Sequence, residues 1–202
     1  MNSFFSEEVH INIPDCDITY IPNFIPAIKA YEYFTILRND ILWQQDDIKV
    51  FGKVHPQPRL TALYAMNNKP YSYSNITMHP HKLSKELLEL KKKIESTYLN
   101  QEIQFTTCLL NLYRDGSDSN GWHADNEKEL GTNPIIASIS LGEERYFHLK
   151  HRTKKELKHK ILLEHGSLLI MKGETQEHWL HQIPKTKKPI KERINLTYRI
   201  IE

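Results

Sequence analysis

Two cysteines in 202 residues, Cys16 and Cys108, are too few for a disulfide framework or for a cage of thiolates around a metal. A reducing compartment fits that scarcity. No stretch approaches the apolar length that crosses a membrane, and Met1 to Glu8 carries neither the basic segment nor the long apolar one of a secretory leader. The expectation is a cytoplasmic protein, or a nuclear one where the source has a nucleus, with no membrane partner and acting as a monomer. Glycine and proline, at 7 and 10 residues, are too sparse for a low-complexity chain, and no repeat or linker divides it. Net charge is nearly lacking too: 27 basic against 25 acidic side chains leave +2. That balance hides two basic clusters, within 150–160 and 185–191, whose bland role is solvated loop and whose sharper role is a local basic surface.

What is present is ordinary for a globular protein, 39% hydrophobic and 26% charged, and the length suits one domain with a full core. From Ile25 to Ile41 the apolar residues Ile28, Tyr31, Phe34, Leu37 and Ile41 recur at spacings of three and four, which predicts an amphipathic helix buried on that stripe. A second helix is marked by a cap at Ser84, a staple between Leu83 and Leu88, and a stripe of Leu87, Leu90, Ile94 and Tyr98. Between them, Lys49 to Tyr73 is broken by Gly52, Pro56, Pro58 and Pro70, the texture of hairpins and loops, and a substrate lid fits there. From Phe105 onward short β-like runs follow one another: Phe105 to Tyr113, Ile135 to Leu141, Tyr146 to Lys150, Lys160 to Glu164, Ser167 to Met171 and Glu192 to Ile201. The pattern predicts an α+β, mainly β chain, with helices and lid over 1–100 wrapped on a sandwich, barrel or jelly roll over 101–202.

The last of these runs carries the first chemical signal. Arg193, Asn195, Thr197 and Arg199 alternate with Ile194, Leu196, Tyr198 and Ile200, so one face is polar throughout. A solvent-facing sheet would look the same. If the polar face lines a barrel interior instead, its two arginines need an anion, and the planar guanidinium fork suits a small dicarboxylate. Leu109, Asn111 and Tyr113 share a face of an earlier strand and would bring an amide and a phenol to the same interior.

The second signal is Trp122-His123-Ala124-Asp125. Residues two apart in an extended segment point the same way, so one ion reaches both side chains. With 11 His and 25 acids in the chain, such a pair alone is no more than chance delivers. Two His and one carboxylate form the facial triad of nonheme Fe(II) oxygenases, so a second His is needed. His148, His151 and His159 sit in the basic run and His165 in a Gly turn, where surface or turn roles fit better. His178 and His181 remain, with a slight preference for His181 if 176–183 is extended.

The set Trp122-His-x-Asp, His181 before Gln-Ile-Pro, and Arg193-x-Asn-x-Thr-x-Arg199 resembles the AlkB family of iron and 2-oxoglutarate dependent dioxygenases, most of all AlkB homologues two and three. The similarity runs from Val50 to Ile201 and includes Gln57-Pro-Arg-Leu-Thr61, Tyr71-Ser-Tyr-Ser74, Ile135-Ile-Ala-Ser138 and His165-Gly-Ser-Leu-Leu-Ile170. The resemblance implies a double-stranded β-helix, a relative of the jelly roll. It implies Fe(II) held by His123, Asp125 and His181, and 2-oxoglutarate held by Asn111, Tyr113, Arg193, Asn195, Thr197 and Arg199, with Arg199 on the distal carboxylate. It further implies oxidative demethylation of N-alkylated bases such as 1-methyladenine and 3-methylcytosine in DNA, consuming O2 and 2-oxoglutarate and releasing succinate, CO2 and formaldehyde. An RNA demethylase would share the same core, and hydroxylation of a protein or small molecule is a more distant alternative.

Such an enzyme must flip its target out of a duplex or act on single strands. Phe51, Gly52 and Lys53 resemble a hairpin tip that wedges into the base stack, Tyr71 and Tyr73 resemble the aromatic lid, and Arg59 with the run Lys150 to Lys160 is suited to phosphates. One departure stands out. Relatives commonly carry a second acid directly after the ligand aspartate, where this chain has Asn126, followed by Glu127 as the acid that compensates.

Overall fold

The computed structural model describes residues 8–50, 52–73, 76–99 and 103–201, without the side chains of 49, 50, 71–73 and 76. Phe51 lies outside the described residues, as do the side chains of Tyr71 and Tyr73. The strands are β1 (Val9–His10), β2 (Asp17–Ile21), β3 (Asp47–Val50), β4 (Lys53–Pro56), β5 (Leu60–Ala65), β6 (Tyr71–Tyr73), β7 (Ile76–Met78), β8 (His81–Lys82), β9 (Thr107–Tyr113), β10 (Asn120–His123), β11 (Ile136–Gly142), β12 (Arg145–His151), β13 (Lys158–Leu163), β14 (Leu168–Lys172), β15 (Trp179–Ile183) and β16 (Arg193–Arg199). The helices are α1 (Ala27–Asp40), α2 (Lys85–Tyr98) and the single turn α3 (Thr175–His178). Among the described residues no helix is long and apolar enough to cross a membrane.

Eight strands form a major sheet in the order β1-β2-β14-β11-β16-β9-β5-β8, and four form a minor sheet in the order β10-β15-β12-β13. The hairpins β3-β4 and β6-β7 stand outside both. The mainly β jelly-roll architecture is therefore the one expected. The major sheet also draws β1, β2, β5 and β8 from the first hundred residues.

Strand β16 explains how the layers form. It pairs antiparallel with β9 on one side and β11 on the other, so its backbone is satisfied in the middle of the sheet. Ile194, Leu196 and Tyr198 are buried with Leu37 of α1 and Leu87, Leu90 and Ile94 of α2, and the Tyr198 hydroxyl donates to the Leu87 carbonyl at 2.9 Å. The other face turns toward the minor sheet. There a second apolar cluster joins Tyr113, Ile136, Leu169 and Met171 to Phe147, Leu149, Ile161 and Trp179. The polar face of β16 thus points indoors, between the sheets.

Helix α2 is as the sequence predicts, with Ser84 Oγ accepting from the Leu87 N–H at 3.4 Å. Removing that cap by Ser84→Ala should cost about 1 kcal/mol of stability, read as a lower denaturant midpoint at unchanged slope. An unchanged midpoint would show the cap to be idle. Helix α1 forms where expected but is rotated. Ile28 and Tyr31 are 82% and 66% exposed, while Ala30, Tyr33 and Leu37 are buried. The reason is close approach: Gly166, at φ +79°, accepts a hydrogen bond from Ile25 N–H through its carbonyl, and a side chain there would meet the Ile25 carbonyl and Ala30. Ala30 faces inward against that turn while Tyr31 faces solvent.

Candidate metal centre and co-substrate pocket

The minor sheet builds the centre from its edge. Strand β10 pairs with β15 so that His123 stands directly opposite His181, and a register shift between Asn120 and His123 delivers the ring inward. The two imidazoles meet edge to face, with centroids 4.2 Å apart. Asp125 follows just past the end of β10, its N–H donating to Gln176 Oε1 at 2.9 Å. The ligand atoms of His123, Asp125 and His181 lie within 4.8 Å of one another, a spacing one ion can span. His178 is not among them: it lies on α3, its ring stacked on His151 at 5.8 Å and its Nε2 3.5 Å from Glu174.

Second contacts prepare these groups for a cation. His123 Nδ1 donates to the Gly121 carbonyl at 2.7 Å, and Asn120 Nδ2 donates to Nε2 at 3.1 Å, so the lone pair belongs to Nε2. Burial lowers the pKa of His123, and burial together with His123 pushes His181 down to about 3, keeping both rings neutral at pH 7. Burial works against ionisation of Asp125 as well. The charge of Arg199 and the two imidazoles outweigh it and hold the carboxyl at about 2. Two neutral imidazoles and one carboxylate are thus ready as donors. Phe147 stacks on His181 at 5.0 Å and fixes its plane.

The three ligands open into a cavity of about 190 Å³ whose wall includes Asn111, Tyr113, Arg193, Asn195, Thr197 and Arg199, the whole expected co-substrate set. The two arginines are not equivalent. Arg199 Nη2 donates to Asp125 Oδ1 at 2.7 Å, which ties it to the metal ligand. Arg193 is fully buried, gives Nη2 to Ser140 Oγ at 2.9 Å and lies 5.2 Å from the Tyr113 ring centre. Its Nε and Nη1 have no hydrogen-bond partner among the described residues. Burial lowers its pKa to about 10, still charged at neutral pH. A buried cation with two open donors is costly unless an anion meets it. Arg199, expected on the distal carboxylate, is bonded here to Asp125.

Other site residues fall on both sides of expectation. Arg59 is buried and donates through Nε to Asn111 Oδ1 at 2.7 Å and through Nη1 to the Ser119 carbonyl at 3.1 Å. It holds the pocket amide of Asn111 from the buried side. Gly52, at φ +80°, turns the exposed β3-β4 hairpin, and Lys53 is exposed beside it. Asn126 is exposed and lines a separate cavity with Pro134 and Arg152. Glu127 lines the metal pocket, and its Oε2 is buried with no hydrogen-bond partner among the described residues. His151, expected on the surface, is buried: its Nδ1 accepts from Thr153 and Lys154 N–H groups and its Nε2 meets Asp15 at 3.2 Å. Sequence reasoning missed Asn120, Gln176 and Phe147. Phe147 alternates with His148 and was readable as an inward residue, whereas Gln176 acts across the chain and left no local sign.

A family model described as the 2OG-Fe(II) oxygenase superfamily matches residues 17–199. The chain is 40% identical over 194 residues to the alpha-ketoglutarate-dependent dioxygenase alkB homolog 3 of Bos taurus, covering 89% of this chain and 64% of that protein. It is 37% identical over 216 residues to the DNA oxidative demethylase ALKBH2 of Arabidopsis thaliana, covering 92% and 66%. To the DNA oxidative demethylase ALKBH2 of Homo sapiens it is 33% identical over 202 residues, covering 95% and 76%. The chain therefore spans a little under two thirds of the alkB homolog 3 it matches. A solved structure described as that of OsALKBH1 superposes with a TM-score of 0.65 at 14% identity, over 96% of this chain and all of that one, a likeness of fold alone. A jelly roll carrying a His-Asp-His centre beside a buried arginine, with this sequence similarity along its length, places the chain in the 2OG-Fe(II) oxygenase superfamily and, within it, in the AlkB family.

Proposed function

We propose that the protein removes N-methyl groups from cationic alkylated bases in DNA, with Fe(II) held by His123, Asp125 and His181 and 2-oxoglutarate held through Arg193. The observation that carries the reading is Glu127: a buried carboxylate oxygen without a partner among the described residues shares one cavity with the three ligands and with Arg193. Bases methylated on the pairing edge, such as 1-methyladenine and 3-methylcytosine, are cations, and a desolvated carboxylate attracts them. When bound, Fe(II) supplies the oxidation of the methyl group at the expense of O2 and 2-oxoglutarate; the carbon leaves as formaldehyde, with succinate and CO2 as co-products. The protein's part is placement. Neutral His123 and His181 and ionised Asp125 hold the metal, Arg199 balances and orients Asp125, and Arg193 pins the co-substrate with Asn111 and Tyr113 on the same wall. Relatives named DNA oxidative demethylase support DNA as the substrate. Work as a monomer, in the cytoplasm or a nucleus, belongs to the same proposal.

The test is incubation with Fe(II), ascorbate and 2-oxoglutarate plus methylated single-stranded DNA, duplex DNA or RNA, scoring formaldehyde and restored base. Turnover on RNA alone would transfer the reading to RNA. Succinate formation with no demethylation of any of the three would transfer it to a protein or small-molecule substrate.

Glu127 gives a sharper handle. Glu127→Gln should lower kcat/KM for 1-methyladenine by about tenfold or more, the worth of one charge-assisted contact. A neutral lesion such as 3-methylthymine should lose much less, and Asn126→Ala should leave both nearly unchanged. Equal losses on charged and neutral lesions would remove Glu127 from base recognition.

A further inference from the structure

The minor sheet has a second face, turned to solvent, that the metal centre does not use. Trp122 on β10 and Tyr146 on β12 stand on it, 39% and 45% exposed. Each ring carries an ammonium: Lys150 Nζ lies 4.4 Å from the Trp122 ring centre and Lys160 Nζ 5.1 Å from that of Tyr146. The register groups them, since His148 pairs with Lys160 and Lys150 with Lys158 across β12 and β13. The His148 ring lies 6.4 Å from Tyr146. The four strands contain no acidic residue at all. Three rings and three lysines therefore share one sheet face with no counter-charge from its own strands. An ordinary solvated face mixes both signs and does not leave large rings in water.

We propose that this face is a stacking platform for unpaired nucleotides of the same strand that presents its target base to the metal pocket. The proposal rests on the nucleic-acid reading above and goes beyond it in naming a surface and a strand state. Bases of any sequence stack on aromatic rings, and a groove that adds positive charge follows their phosphates. An exposed cation–π contact is weak, so a base can take the ring face while the displaced ammonium turns to the phosphate. Position fits as well. Trp122 directly precedes the ligand His123 and points to the opposite side of the strand, so the platform begins one residue from the centre. Paired bases already have their faces covered by neighbours and gain nothing from it.

Binding is measured with an unmodified oligothymidylate of about 15 nucleotides, near the upper size of a single-strand site, and with a duplex of equal length. Trp122, the exposed tryptophan, reports stacking by quenching of its fluorescence. Tyr146→Ala should weaken oligothymidylate binding by about tenfold, as expected for one lost stack. Tyr146→Phe should retain it. On methylated substrates Tyr146→Ala should lower kcat/KM for the long oligonucleotide and spare a methylated trinucleotide, which reaches only the pocket. Unchanged oligothymidylate binding in Tyr146→Ala, equal losses on trinucleotide and long oligonucleotide, or tighter wild-type binding of duplex than of single strand would each overturn the platform. Oligothymidylate binding needs no turnover. Ring-dependent binding without demethylation would therefore refute the proposed activity and leave the platform standing, and demethylation without ring-dependent binding would do the reverse.

Discussion

His123→Ala and His181→Ala should each remove Fe(II)-dependent turnover, while His178→Ala keeps it. Loss of an outer partner to a metal ligand typically costs about 10- to 100-fold in affinity, and loss of a ligand itself should exceed that. The three ligand atoms lie within 4.8 Å of one another, so one ion draws on all three and each truncation removes a donor. His178 is committed elsewhere, stacked on His151 and close to Glu174. His123 is the cleaner variant because its side chain is 34% exposed, and truncation there leaves a small void. Asp125→Ala is a poorer choice. It removes the carboxylate that Arg199 meets at 2.7 Å and would lower stability and metal affinity together. Calorimetric titration with a divalent metal under anaerobic conditions, beside a thermal melt, separates the two effects. Intact metal binding in His181→Ala with loss in His178→Ala would overturn the assignment.

The second large effect separates the two arginines. Arg193→Met should raise the 2-oxoglutarate KM by about 100-fold or more, since two charge-assisted bonds at roughly 1.5–3 kcal/mol each are lost. Its metal affinity should not change. Without co-substrate the variant should be no less stable than the wild type, because methionine replaces a buried cation whose Nε and Nη1 have no partner among the described residues. Arg199→Met should behave differently: Asp125 loses its 2.7 Å partner, its pKa rises, and metal binding weakens. A steep KM effect in Arg199→Met with none in Arg193→Met would restore the assignment expected from the sequence.

Strand β16 was legible because it obeys period two without interruption, with both faces buried in different company. The metal triad was legible in part: His-x-Asp is a local pattern, but the choice of His181 over His178 depended on where α3 ends and β15 begins. The different partners of Arg193 and Arg199 were hidden. Both occupy the same face of one strand, but Arg193 bonds Ser140 and Arg199 bonds Asp125, 74 residues earlier. The rotation of α1 was hidden for a similar reason, since it is set by contact of Ala30 with the turn at Gly166, far along the chain. His151 looked like one more member of a basic run until the fold placed Asp15 beside it.

The central place of β16 has a bearing on biosynthesis. Residues 193–199 fill the gap between β9 and β11, and both neighbours bond to them along most of their length. Without that segment the strand sets β8-β5-β9 and β11-β14-β2-β1 would each be left with an unpaired edge at the seam. Such edges invite association with other chains. Closing them requires pairing between segments distant in the sequence, such as Thr107 with Arg199 and Ala137 with Tyr198, an arrangement that folds slowly. Arg193 and Arg199 arrive with the same segment. The anion pocket and the ion-pair partner of Asp125 are therefore completed by the same pairing that closes the sheet.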